Sequence, residues 1–212
     1  MELKVKDVLR YLGYRTAPAE RNVLDQIDEA ITELNACVNP KSIYKTFSCT
    51  VSRTAVTIGG VTIESSSLAN HMKGCKRAAL LAVTLGPAAD TLIRRHSVSD
   101  MSKAAVMQAV CAVMCERYCD DIERRIAEEA ALEGLHLRPR FSPGYGDFQI
   151  ECQRDLFHLL ECDRRIGLSM TAGFMLVPLK SVTAVIGFSE EKCCNLEKCG
   201  NCSRNHCAFR EE

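Results

Sequence analysis

The densest chemistry in the sequence lies between Pro139 and Asp147. Two prolines, two glycines, an arginine and a tyrosine fall within nine residues, the core of which reads Arg140-Phe-Ser-Pro-Gly-Tyr-Gly-Asp147. Glycines let backbone approach a ligand closely, and prolines limit the entropy lost when a loop is ordered. Arg140 offers a planar fork of donors that matches a carboxylate. Tyr145 adds a flat face with a hydroxyl. Such a set suits a small zwitterionic or nucleoside ligand. A rigid surface turn would use the same residues, so the loop by itself leaves both readings open.

Cysteine is the second outlier, at 13 of 212 residues. Cys193, Cys194, Cys199, Cys202 and Cys207 crowd the C-terminal tail, spaced C-C-x4-C-x2-C-x4-C. Thiolate clusters of this density bind Zn²⁺ or an iron–sulfur cluster, and the Cys199-x2-Cys202 pair is the usual bite of either. His206 could replace a thiolate on zinc. Spacing does not separate the two metals, and a metal-free reactive tail is a third reading. Elsewhere Cys111, Cys115 and Cys119 recur at helical spacing. Ligands along one helix cannot close a tetrahedron, so this stripe reads as small apolar side chains in a core. His71, His96, His136 and His158 share no ligand spacing, and Met101, Met107 and Met114 read as core filler. Asp120, Asp121, Glu123, Arg124 and Arg125 read as a solvated mixed-charge helix face.

These residues need elements to hold them. Residues 4–13 (KVKDVLRYLG), ending at Gly13, and residues 19–36 carry helical periodicity. Residues 42–64 switch to β-branched alternation around a Gly59-Gly60 turn. A short helix follows, with Ser66 or Ser67 as cap and Gly74 as its stop. The apolar run 76–86 reads as a buried strand and Pro87 as the first turn of a helix over 87–95. Asp100 caps the longest periodic stretch, 100–133; residues 149–161 read as helix and 180–189 as a last strand. Helices first, then strands, then a mixture without a βαβ repeat predict an α+β fold. Residues 1–190 form the single domain and 191–212 a cysteine-rich extension. Lys plus Arg and Asp plus Glu both number 27, and this balance excludes bulk electrostatic binding of nucleic acid or anionic lipid. No apolar run approaches the length of about 20 residues that spans a bilayer. The start lacks the apolar core of an export signal, which predicts a cytoplasmic protein.

The segment from Arg140 to Tyr145 resembles the Arg-x-x-Pro-Gly-Tyr signature of the activation domain of cobalamin-dependent methionine synthase. The similarity continues through RDLFHLLECDRRIGLSMTAGF and the Ser181-Val182 strand, and upstream through AVTLG and the Asp100–Ile126 helix. It covers about residues 80–190, and residues 1–75 more weakly. The resemblance implies a twisted, mainly antiparallel sheet with flanking helices. It implies that S-adenosylmethionine is bound by Arg140, Ser142, Gly144 and Tyr145, with Glu116 from the long helix. It further implies a role in the reductive methylation of cob(II)alamin on a separate methionine synthase. An electron donor such as flavodoxin or ferredoxin would be required, and an iron–sulfur cluster in the tail would give electrons an entry point. The alternatives are a metal-binding redox or regulatory module and an activator of another corrinoid methyltransferase. The sequence departs from the family pattern in two visible places. Gly146-Asp147-Phe148 stands where a proline- and histidine-containing stretch is usual, and Ile186-Gly187-Phe188 where a second ligand-contacting tyrosine is expected.

Overall fold

The computed structural model describes residues 3–14 and 18–191. The tail cysteines Cys193, Cys194, Cys199, Cys202 and Cys207, with His206, lie outside the described residues. Helix α1 (Val5–Tyr11) is followed by Gly13 at φ +89°, and α2 (Arg21–Cys37) buries the stripe Ile27, Ala30 and Leu34. Strands β1 (Lys41–Val51), β2 (Ala55–Ile58) and β3 (Val61–Glu64) follow as a meander. Gly59 and Gly60 both have positive φ, which a two-residue type I′ turn between Ile58 and Val61 requires. Helix α3 (Ser66–His71) is capped by Ser65, whose Oγ accepts the Leu68 N–H at 3.0 Å. The cap therefore sits one residue before the earlier of the two serines read from sequence.

Strand β4 (Arg77–Thr84) leads through Gly86 into α4 (Pro87–Ser99), one turn longer than expected. Helix α5 (Met101–Leu132) starts where Asp100 accepts the Lys103 N–H at 3.0 Å. Its Met107 and Met114 are fully buried, but Met101 in the first turn is exposed and fills no core. A short strand β5 (His136–Leu137) precedes the loop. A 3₁₀ turn at Ile150–Cys152 then enters α6 (Gln153–Leu160), and Glu161 in the left-handed region separates it from α7 (Cys162–Ile166). A small hairpin, β6 (Ser169–Met170) with β7 (Leu176–Val177), was not legible in the sequence. Strand β8 (Ser181–Ser189) completes the order.

Six strands form one sheet in the order β3-β2-β1-β4-β8-β5, and every pairing is antiparallel. Strand β4 lies near its centre and is covered on both faces. Ala79, Leu81 and Val83 join the core made with α1, α2, α4 and α5; Ala78, Leu80 and Ala82 join the one made with α3, α6 and α7. A strand buried on both sides has no polar alternation, which is why residues 76–86 read as one apolar run. Truncating Leu80 or Leu81 to alanine would cost about 2–5 kcal/mol, the usual range for such cavities. The fold is thus α+β, with an antiparallel sheet between two helical layers.

Candidate functional site

Helix α5 presents a stripe of thiols and, on the adjoining face, a set of acids. Cys111, Cys115 and Cys119 point inward and are buried. Burial pushes the Cys111 thiol up to about 12. The hydrogen bond it shares with Cys115, together with burial, pushes Cys119 above the ordinary thiol range. Thiols held protonated in an apolar setting are packing groups, not nucleophiles. Glu116 and Asp120 each follow a thiol by one residue, a rotation of about 100°, and Glu123, four residues after Cys119, is rotated about 40° from it toward the same rim.

The rim acids converge on Arg140, whose side chain is only 8% exposed. Arg140 Nη2 donates to Glu116 Oε2 at 2.6 Å, and Nη1 donates to Asp120 Oδ1 at 2.7 Å and to Glu123 Oε2 at 2.5 Å. Asp120 and Glu123 were expected on a solvated face; instead they hold a guanidinium delivered by a loop 17–20 residues later. Burial disfavours the guanidinium charge, and the carboxylates of Glu116, Glu123 and Asp120 act against it to favour the charged form. One guanidinium among three carboxylates leaves a formal charge of −2. Three of the five N–H groups of Arg140 are engaged, which leaves two donors for anything else.

The loop is held at both ends. Phe141 exchanges backbone hydrogen bonds with Val185 of β8 at 2.9 and 2.8 Å, and the Arg138 N–H donates to the Gly187 carbonyl. Arg140 is thereby placed beside the last strand. Tyr145 N–H then donates to the Ser142 carbonyl at 3.2 Å, with Pro143 and Gly144 (φ +92°) between them, the pattern of a type II turn. Gly144 N–H donates to the Phe148 carbonyl at 2.7 Å. Beyond the turn, Asp147 sits on the start of α3. Its carboxylate accepts from Ser65 Oγ (2.5 Å), Ser66 N–H (2.8 Å) and Ser67 N–H (2.9 Å), bonds that hold it well below the usual carboxylate range. Gly146 passes so near that a Cβ would lie 2.6 Å from Ser67 Oγ, which explains a glycine there. Phe141 packs against His71, Tyr145 and Phe148, and His71 Nε2 meets the Pro139 carbonyl at 2.6 Å.

The residues singled out from sequence therefore occupy one neighbourhood. Arg140 and Glu116 are in direct contact, and Tyr145 is 59% exposed, edge-on to Phe141. Ser142 and Gly144 lie in the turn, but the Ser142 carbonyl and the Gly144 N–H are both engaged in closing it. Burial and the charge of Glu116 raise the pKa of Tyr145. The same two causes, in the same order, raise that of Tyr11 at the end of α1, which places its phenol in the same field. Tyr11 was missed because a tyrosine on an amphipathic helix reads as packing. Strand β8 supplies no phenol: Ile186 is fully buried, Phe188 lies under the Arg77 guanidinium, and a Cβ at Gly187 would lie 2.7 Å from Cys75 Sγ. Among the described residues, no three His, Cys, Asp or Glu side chains are arranged to hold a metal ion. No helix among the described residues is long and apolar enough to cross a membrane.

Comparison with known proteins places the fold. No family model and no curated protein sequence matches the chain. Among solved structures, the crystal structure of the MetH reactivation domain bound to AdoHcy matches with a TM-score of 0.61. That match covers 92% of this chain and 79% of that one, at 14% sequence identity. The chain has the fold of that reactivation domain.

Proposed function

We propose that the surface bounded by Arg140, Glu116, Tyr145 and Tyr11 binds S-adenosylmethionine. On this proposal the chain supports the reductive methylation of cob(II)alamin held by a separate cobalamin-dependent methionine synthase. The observation that supports it is the Arg140–Glu116 contact beside an exposed Tyr145, on a fold that has been seen elsewhere with AdoHcy bound. The residues fit the ligand chemically. The two N–H groups of Arg140 not engaged by acids can take the methionine carboxylate, and Glu116, 43% exposed, can accept from the ammonium. The Tyr145 ring offers a face to the sulfonium methyl or the adenine.

The residues bind and orient; none needs to move a proton. In displacement at the sulfonium methyl the C–S bond breaks and its electron pair stays on sulfur, giving a neutral thioether. The partner's corrinoid, once reduced by an electron from a flavodoxin- or ferredoxin-class donor, supplies the nucleophile. The work left to this chain is proximity and alignment. Titration of the purified protein with S-adenosylmethionine tests the reading. Arg140→Ala and Glu116→Gln should each weaken binding by about 1–3 kcal/mol, the scale of a lost charge-assisted hydrogen bond. Circular dichroism should report the variants as folded, and unchanged affinity in both would remove the site.

A further inference from the structure

We infer that His71 is a positioning residue for Arg140, because it holds the carbonyl of a one-residue bulge that turns this arginine toward the acids of α5. Its effect on ligand affinity rests on the reading that the site takes S-adenosylmethionine; its effect on Arg140 does not. Strand β5 pairs with β8 in one register, with His136 opposite Ser189 and Leu137 opposite Phe188. The next residue keeps that register, since the Arg138 N–H donates to the Gly187 carbonyl at 2.8 Å. A regular strand would then bring residue 139 opposite Ile186 and residue 140 opposite Val185. Instead Phe141 stands opposite Val185, so Pro139 and Arg140 share the place facing Ile186. One extra residue has entered, which is a β-bulge.

The insertion reverses the phase of the side chains. Leu137 packs with the α5 core, so an unbroken strand would send Phe141 to that side and Arg140 to the side of α3. The bulge does the opposite. Phe141 packs in the α3 core, and Arg140 meets Glu116, Asp120 and Glu123 of α5. Proline suits the bulge because it brings no N–H that would need a partner there. Its ring fixes φ, which leaves ψ as the soft dihedral, and the direction of its carbonyl sets ψ. His71, in the last turn of α3, meets that carbonyl with Nε2 at 2.6 Å. The peptide plane held in this way contains the Arg140 nitrogen. A carbonyl only accepts, so the bond requires the ring proton on Nε2. Burial holds the imidazole below its ordinary pKa, against the pull of the Pro139 bond, so at neutral pH it carries that single proton. Helix α3 thus grips the loop twice, at Asp147 with its first turn and at Pro139 with its last.

Nitrogen–proton correlation spectra of the wild-type protein at neutral pH give the first test, and it needs no variant. His71 should carry its proton on Nε2; a proton on Nδ1 alone would leave the Pro139 carbonyl without this donor and overturns the inference. Two substitutions give the second test. His71→Leu removes the donor and keeps apolar bulk, whereas His71→Gln keeps an N–H donor at the end of a side chain of similar reach. The Arg140 guanidinium protons should exchange about tenfold faster in the leucine variant and near the wild-type rate in the glutamine variant. Amides of β4 should stay protected in both, which a general loosening of the core would not allow. S-adenosylmethionine should bind about fivefold more weakly to the leucine variant and within about twofold of wild type to the glutamine variant. Guanidinium protons that exchange alike in all three proteins overturn the inference, and so does an equal loss of affinity in both variants. If the wild type binds no S-adenosylmethionine, the binding reading falls, and guanidinium exchange still decides whether His71 positions Arg140.

Discussion

Helix α5 carries three thiols and three carboxylates on adjoining faces, and the two sets have opposite fates. Cys111, Cys115 and Cys119 lie against the sheet, are buried, and are apolar in effect. Glu116, Asp120 and Glu123 stand at the rim and gather a guanidinium from a loop. The thiol stripe is satisfied by contacts every buried helix makes, and its members can be exchanged for other small apolar groups. The acids are gathered by a distant residue, Arg140. A turn of about 40–100° around a helix axis separates generic packing from a specific electrostatic arrangement.

Substitutions can break this contrast at either stripe. The largest effect is expected at the acid stripe. Arg140→Ala leaves three carboxylates facing one another, and denaturant unfolding should show a loss of about 3 kcal/mol, the lower end for breaking a buried ion cluster. Cys119→Ala should cost about 1 kcal/mol through a small cavity and leave S-adenosylmethionine affinity unchanged. A large affinity loss there would mean that the two stripes are not independent. Asp147→Ala sharpens the contrast from outside the helix. It frees the loop from α3, so ligand affinity should fall with little change in melting temperature, and Asp147→Asn should restore part of it. Because its folded pKa is depressed below the ordinary 3.8, the Asp147 contribution is fully present above that value and is lost only as pH falls further. Binding measured from pH 7 to pH 5 should therefore show no titration from this group.

What could be read from sequence was what is determined locally. The Asp100 cap, the Gly59-Gly60 turn and the two-faced strand β4 are set by residues within a few positions of each other. The misplaced α3 cap shows the limit. Three consecutive serines are equivalent to any local rule, and Ser65 is also tied to Asp147, 82 residues away. Asp120 and Glu123 were read as solvated for the same reason: their partner is distant in sequence, and intrahelical neighbours offered a sufficient local explanation. Arg140 and Tyr145 stood out because an ordered loop concentrates proline and glycine, which a sequence displays openly. Tyr11 carried no such mark. The short β6–β7 hairpin, two residues per strand, is below the length at which alternation can be recognised.

The backbone exchange between Phe141 and Val185 has a consequence for biosynthesis. Strand β8 is the last element among the described residues, and the guanidinium cannot be delivered to α5 in its final position while residues 181–189 are still within the ribosome. Until then the three acids of α5 have no counter-charge from the loop. A nascent chain would thus carry a nearly finished helical layer while the carboxylates of α5 still await the loop that gathers them.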